Sequence, residues 1–231
     1  MSLTGVRAVL FDLDGTLVAS APDLATAVNR ALVDLDREPV SEERVRGWIG
    51  NGARRLVARA LTGEEMTNPE PALWERAMDR FNVHYAACLA DRTQVYPGVR
   101  RTLGALTAEG LRLGVVTNKP SCFTGPVLTA MGLSDFFAAT VAGDTLGVRK
   151  PDPEPMLFAA RSLGVAPAET VVVGDAMADL DGARAAGMRM VWVPYGYHRG
   201  DDILAARPDA SVDDFGDLPA CLGFTGKVAD A

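Results

Sequence analysis

The feature that most restricts this chain is an alternation of short apolar runs with longer stretches of helical periodicity. The runs are Arg7–Phe11, Leu111–Val116, Phe137–Ala142, Thr170–Gly174 and Arg189–Val193. They are nearly continuous in Val, Leu and Met, with no polar residue at every second position, so a strand made from them needs cover on both faces. Helices are expected to begin near Pro97, Pro120, Pro153 and Ala176, and Gly110, Gly132, Gly164 and Gly187 follow as stops. Proline suits a first helical turn and glycine the residue after a last one. Strand, helix, strand units of this kind wind right-handed. The expected fold class is therefore α/β, a parallel sheet between two helical layers.

One segment departs from this rhythm. Between Leu17 and Arg92 no strand is expected, only helices over Asp23–Asp36, Glu42–Trp48, Ala53–Leu61 and Ala72–Leu89. In the last of these Leu73, Ala77, Phe81, Tyr85 and Cys88 recur at helical spacing and form one apolar stripe, read as the packing face of a helical bundle. The expected organisation is an all-helical insertion, residues 17–92, within an α/β core made of residues 1–16 and 93–231.

Composition narrows the function classes. The chain has 231 residues, 48% of them hydrophobic, enough for one large domain or a core with a smaller companion. Its 23 Lys and Arg against 30 Asp and Glu give a net charge of −7, which argues against a nucleic-acid partner. No apolar run approaches the roughly 18 residues of a membrane span, and Met1–Val6 lacks the regions of a secretory signal, so a cytoplasmic protein without membrane contact is expected. Cys88, Cys122 and Cys221 are scattered, and His84 and His198 are the only histidines, which argues against a disulfide framework or a thiolate or histidine metal centre.

The polar residues collect where the apolar runs end. Val9-Leu10-Phe11 leads into Asp12-Leu13-Asp14-Gly15-Thr16, Val115-Val116 into Thr117-Asn118-Lys119, and Val171-Val172-Val173-Gly174 into Asp175, with Asp179 and Asp181 beyond. In an open parallel sheet these strand ends share one edge, where ligands bind. Crowded carboxylates repel one another and lose hydration, which a bound cation offsets. Oxygen ligands select a hard ion, Mg²⁺, which commonly bridges carboxylates to a phosphate. Thr117, Asn118, Lys119 and Lys150 supply donors and positive charge for the phosphate oxygens, so the constellation points to phosphoryl transfer.

Asp12-Leu13-Asp14-Gly15-Thr16 resembles the D-x-D-G-T signature of the haloacid dehalogenase superfamily, in its phosphatase branch. Thr117 matches the second motif, Lys150 in Lys150-Pro151-Asp152-Pro153 the third, and Gly174-Asp175-x-x-x-Asp179 the fourth. The resemblance covers nearly the whole chain and implies a Rossmann-like three-layer core with a helical cap. It makes Asp12 the nucleophile that forms an aspartyl-phosphate, and Asp14 the acid and then the base. It assigns metal binding to Asp12, the Asp14 carbonyl and Asp175, with Asp179 acting through water or as a support. Asp12, Leu13, Asp14, Thr117, Asn118 and Lys150 would surround the phosphoryl group, and Thr16 would steady the loop. Arg149 competes with Lys150 for the cationic role, and Pro-x-Pro after Lys150 favours the latter. Asn118 either caps the turn before Pro120 or touches the transferring group. Asp181 reads as a solvated helix residue, and Lys119 either as another or as a donor to the phosphate.

Within the insertion, Trp48-Ile49-Gly50-Asn51-Gly52-Ala53 leads into a helix bearing Arg54 and Arg55. The glycines allow close backbone approach, and a helix start attracts an anion; an ordinary loop with two solvated arginines is the alternative. The stretch is similar to the cap of bacterial phosphoglycolate phosphatases, as are Tyr96-Pro97-Gly98-Val99 and Tyr195-Gly196-Tyr197, which implies 2-phosphoglycolate as substrate and Gly50, Asn51, Gly52 and Arg54 as cap contacts. Two positions depart from that group's pattern: Ala19 replaces an Asp, and Ala176 a hydroxyl residue. Alternatives implied by the same motifs are hydrolysis of another small phosphometabolite, a phosphomutase of the β-phosphoglucomutase type, and a non-catalytic phosphometabolite sensor. The partner expected is a small phosphorylated metabolite, the assembly a monomer or homodimer.

Overall fold

The computed structural model describes residues 3–197 and 201–224. His198 and the end of the 93–231 segment lie outside them. The strands are β1 (Ala8–Phe11), β2 (Val18–Ala19), β3 (Gln94–Val95), β4 (Arg112–Val116), β5 (Ala139–Val141), β6 (Thr170–Gly174), β7 (Arg189–Trp192) and β8 (Ala210–Ser211). The helices are α1 (Ala21–Val33), α2 (Glu42–Arg46), α3 (Ala53–Thr62), α4 (Pro71–Cys88), α5 (Val99–Ala108), α6 (Ser121–Ala130), α7 (Glu154–Leu163), α8 (Met177–Ala185), α9 (Asp201–Ala206) and α10 (Leu218–Cys221). No helix among the described residues is long and apolar enough to cross a membrane.

Six strands form one parallel sheet in the order β5-β4-β1-β6-β7-β8. Successive residues of a strand serve opposite faces. Val9, Phe11, Val171 and Val173 join α5, α6 and α10 in one apolar cluster, while Ala8, Leu10 and Val172 join α7 and α8 in another. That double burial is why the strands read as unbroken apolar runs. β1 lies between β4 and β6, with Phe11 level with Val115 on one side and Val173 on the other. The register brings residues just beyond each strand, including Asp12, Thr117 and Asp175, to one edge.

The helices α1 to α4 occupy the expected insertion and carry a third apolar cluster that includes Leu24, Trp48, Leu56, Phe81 and Tyr85. Phe123, on α6 beyond the sheet edge, belongs to the same cluster and stacks edge-on against Tyr85. Local chemistry sets several boundaries: Ser41 Oγ accepts from Arg44 N, the Glu70 carboxylate accepts from Ala72 N and Leu73 N, and Gly63 and Gly164 end α3 and α7 with left-handed backbone.

Two differences from expectation have simple causes. Val18–Ala19 is a strand, paired antiparallel with Gln94–Val95; two residues are too few to leave a periodicity in the sequence. The expected strand Phe137–Ala142 is reduced to Ala139–Val141, because Ser134–Phe136 turns as a 3₁₀ helix before it.

The start and end of the insertion are tied together by one buried carboxylate. Asp23, in the first turn of α1, accepts from Arg92 N at 3.0 and 3.1 Å, Thr93 N at 2.8 Å and Thr93 Oγ1 at 2.6 Å. Asp23→Ala strands two backbone N–H donors and is expected to cost about 2–4 kcal/mol, lowering the melting temperature by about 5–10 °C. Asp23→Asn keeps an acceptor and is expected to lose less; equal melting temperatures for Asp23→Ala and the parent chain would contradict the tether.

Candidate active site

At the carboxyl edge of the sheet β1 delivers Asp12, whose N–H completes the ladder to Val173 O at 2.9 Å, and β4 delivers Thr117, bonded to Val141 O at 2.9 Å. Asp12, Asp175 and Asp179 are all buried, and one carboxylate oxygen from each lies within 4.8 Å of the others. Lys150 Nζ stands 2.9 Å from Asp12 Oδ1 and 2.7 Å from Asp179 Oδ1. Asp12 Oδ1 receives no hydrogen bond of good geometry. Asp179 also accepts from Ala176 N at 3.1 Å, so its carboxylate anchors both Lys150 and the start of α8. Ala176 cannot return that contact with a side chain.

Asp175 is held from two sides. Thr16 Oγ1 donates to its Oδ1 at 3.0 Å and Tyr197 N to its Oδ2 at 2.6 Å. Glycine is required around it. A Cβ on Gly15, whose φ is +91°, would lie 2.4 Å from Asp175 Oδ2, and one on Gly196 would lie 2.3 Å from Asp175 Cβ. Burial, with Asp12 and Asp179 nearby, pushes Asp175 well above the usual carboxylate range. Burial also lifts Asp12 to about 6 against the pull of Lys150. Burial alone would lower Lys150, but Asp12 and Asp179 outweigh it and hold the ammonium charged.

These three carboxyl groups face one ammonium, a deficit of positive charge in a buried place that agrees with the upward push on Asp12 and Asp175. That deficit, the Asp12 oxygen without a good donor, and the all-oxygen donor set fit a divalent hard cation. Asp12, Asp175 and Asp179 are the carboxylates whose oxygens lie close enough together to share one.

Asp14 is a separate, locally neutral unit. Its Oδ1 accepts from Ser20 Oγ at 2.5 Å, and Lys119 Nζ sits 3.0 and 3.1 Å from its two oxygens. Lys119 is buried, contrary to the expectation of a solvated helix residue, because it precedes α6 and turns inward between Asp14 and Tyr85. Its Nζ donates to Tyr85 Oη at 2.6 Å and lies 4.7 Å from the ring centre. Burial pushes the Tyr85 hydroxyl up to about 12. Of the two competing cations, Lys150, the one favoured by the sequence, is buried on Asp12, and Arg149 is exposed.

Asp12, Asp14, Thr117, Asn118 and Lys119 line one side of a cavity of about 40 Å³, measured as room for the centre of a water molecule. The opposite wall is Ile49, Gly50, Gly52, Leu56 and Tyr85 from the insertion. Such room is about three times what one water needs, so only a small molecule fits without movement. Asn118 Nδ2 donates to Gly50 O and to Lys150 O, both at 3.0 Å, and so braces the two walls. The Leu13 side chain turns into the core, and its carbonyl accepts from Leu17 N and Val18 N. Asn51 lines an adjoining cleft with Asp175 and binds Arg59. Arg54 does not line the 40 Å³ cavity: it pairs with Glu75 at 2.8 Å and stacks on Trp74, on an outer groove.

Several contacts at the site go beyond the sequence reading. Ser20 and Tyr85 hold the Asp14–Lys119 pair, and the Tyr197 N–H holds Asp175. Arg46 supports that loop by donating to Tyr195 O at 3.3 Å and Gly196 O at 3.1 Å. Only Lys119 carried a sequence signal, as a cation just past a strand end.

Comparison with known proteins agrees with this geometry. A family model described as haloacid dehalogenase-like hydrolase matches residues 6–187. The phosphoglycolate phosphatase of Pseudomonas putida is 45% identical over 217 residues, 93% of this chain and 79% of that protein. The phosphoglycolate phosphatase of Colwellia psychrerythraea is 40% identical over 94% of this chain and 97% of its own length. The crystal structure of a predicted phosphoglycolate phosphatase from Haemophilus somnus superposes with a TM-score of 0.87 at 35% identity, covering 95% of this chain and 99% of the other. The strand order, the acidic edge and these matches lead to one conclusion: the chain belongs to the haloacid dehalogenase-like hydrolase family.

Proposed function

We propose that this chain is a Mg²⁺-dependent phosphomonoester hydrolase that converts 2-phosphoglycolate and water to glycolate and phosphate in the cytoplasm. The observation that carries the reading is the small cavity in which Asp12, Asp14 and Thr117 face the segment around Gly50. The phosphoglycolate phosphatases of Pseudomonas putida and Colwellia psychrerythraea, similar over nearly the whole chain, support the choice of substrate.

In this reading an Asp12 oxygen attacks phosphorus, the bond from phosphorus to the glycolate oxygen breaks, and Asp14 protonates the departing oxygen. Water then attacks the aspartyl-phosphate, Asp14 takes its proton, and the Asp12 carboxylate returns as phosphate leaves. Lys150 and the Thr117 hydroxyl bind the phosphoryl oxygens, and Asn118 keeps the Lys150 loop docked under Gly50. Mg²⁺, when bound by Asp12, the Asp14 carbonyl and Asp175, supplies charge for the phosphoryl oxygens that crowd a carboxylate nucleophile. Burial of Asp12 and the closeness of the cavity limit competing water.

A phosphate-release screen with Mg²⁺ over small phosphorylated metabolites tests the assignment directly: 2-phosphoglycolate is expected to have the highest kcat/KM, and a clear preference for a sugar phosphate would contradict it. Asp12→Asn is expected to lower turnover at least about a thousandfold with the melting temperature retained. Lys150→Ala is expected to lose most activity and Arg149→Ala little; the reverse order would exchange their roles. Gly196→Ala, by displacing Asp175, is expected to weaken Mg²⁺ affinity about 10- to 100-fold, read by the metal-induced rise in melting temperature.

A further inference from the structure

We infer that Lys119 is the residue that reads the carboxylate of the substrate, so that preference for an acid-bearing phosphate resides in the core beside Asp14. The inference rests on the phosphoglycolate reading and extends it to a named recognition group.

Three observations carry it. Among the described residues Lys119 is the only Lys or Arg lining the 40 Å³ cavity, whose cap-side wall is otherwise apolar apart from Tyr85. Its Nζ lies 3.0 Å from Asp14 Oδ1, the group that meets the leaving oxygen, so it stands where the rest of a short substrate must lie. The ammonium is also held in place, by Asp14 Oδ1 at 3.0 Å, Asp14 Oδ2 at 3.1 Å and Tyr85 Oη at 2.6 Å, so an arriving carboxylate takes over one of the two N–H groups now given to Asp14. A cation already fixed in a small pocket recognises a carboxylate more strongly than one that must be ordered on binding.

The adjoining cleft offers the opposite chemistry. It is lined by Asp14, Asp175, Glu65 and Asp202 against Arg59, and the Arg59 guanidinium is engaged by Trp48 O at 2.7 Å and Asn51 Oδ1 at 2.9 Å. Its arginine is thus already engaged, and its other charged side chains are carboxylates. Arg54, Arg55 and Arg149 line the outer groove, and none of them lines the cavity beside Asp12. Lys119 is left as the cation for the carboxylate.

The test compares kcat/KM for 2-phosphoglycolate with that for 2-hydroxyethyl phosphate, which replaces the carboxylate by an alcohol, in the parent chain, Lys119→Met and Lys119→Gln. The ratio is the readout, since both activities can fall through Asp14. It is expected to drop about 10- to 150-fold in both variants, the worth of one charge-assisted hydrogen bond, and to be partly restored in Lys119→Arg. A ratio unchanged in a folded variant overturns the inference and leaves Lys119 as a positioning residue for Asp14. The two readings fail differently. If the parent chain prefers another carboxylate-bearing phosphate over its alcohol analogue, and Lys119→Met abolishes that preference, the substrate is wrong and the role of Lys119 stands. A parent chain indifferent to the carboxylate in every such pair overturns both.

Discussion

The site depends on parallel register. β1 is hydrogen-bonded on both sides, and because Phe11 lies level with Val115 and Val173, the residues that follow these strands emerge together at one edge. A slip of one residue would turn the Asp12 side chain toward the other face and bring Phe11 to the edge. The Val-rich strands oppose that slip, since each residue is packed into one of two distinct apolar clusters. The burial of Val9, Phe11, Val171 and Val173 thus determines where charge can collect.

Charge placed there is expensive to hold, and the structure divides it into two units. One is acidic, with Asp12, Asp175 and Asp179 around Lys150; the other is balanced, with Asp14 against Lys119. The acidic unit keeps a deficit suited to a divalent ion, whereas the balanced unit needs none. Both lysines are buried, and both remain charged because their carboxylate neighbours outweigh the loss of hydration. Two carboxylates two residues apart, Asp12 and Asp14, therefore sit in different electrostatic surroundings.

Much of this was legible in the sequence for physical reasons. Apolar runs without alternation identified the doubly covered sheet, and polar clusters after those runs marked the edge where Asp12, Thr117 and Asp175 meet. What escaped was whatever depends on contacts distant in the chain. Lys119 read either as a donor to the phosphate or as a solvated helix residue, because nothing near it in sequence reveals that Asp14 and Tyr85 converge on its ammonium. Tyr85 read as packing, which it is on its ring face, while its hydroxyl does something else. Arg54 read as a cap contact from its place at a helix start, but Glu75 and Trp74 hold it on an outer groove. The pairing of Val18–Ala19 with Gln94–Val95 is too short to have a period.

That short ribbon has an architectural result. The chain leaves the sheet through one of its strands and returns through the other, so the ends of the four-helix segment are already side by side and cross-linked through Asp23. Lengthening a segment closed in this way costs little, since closure entropy grows only with the logarithm of loop length, about 0.6 kcal/mol per doubling. The helices above can then be exchanged, lengthened or trimmed during evolution without altering the pairing beneath.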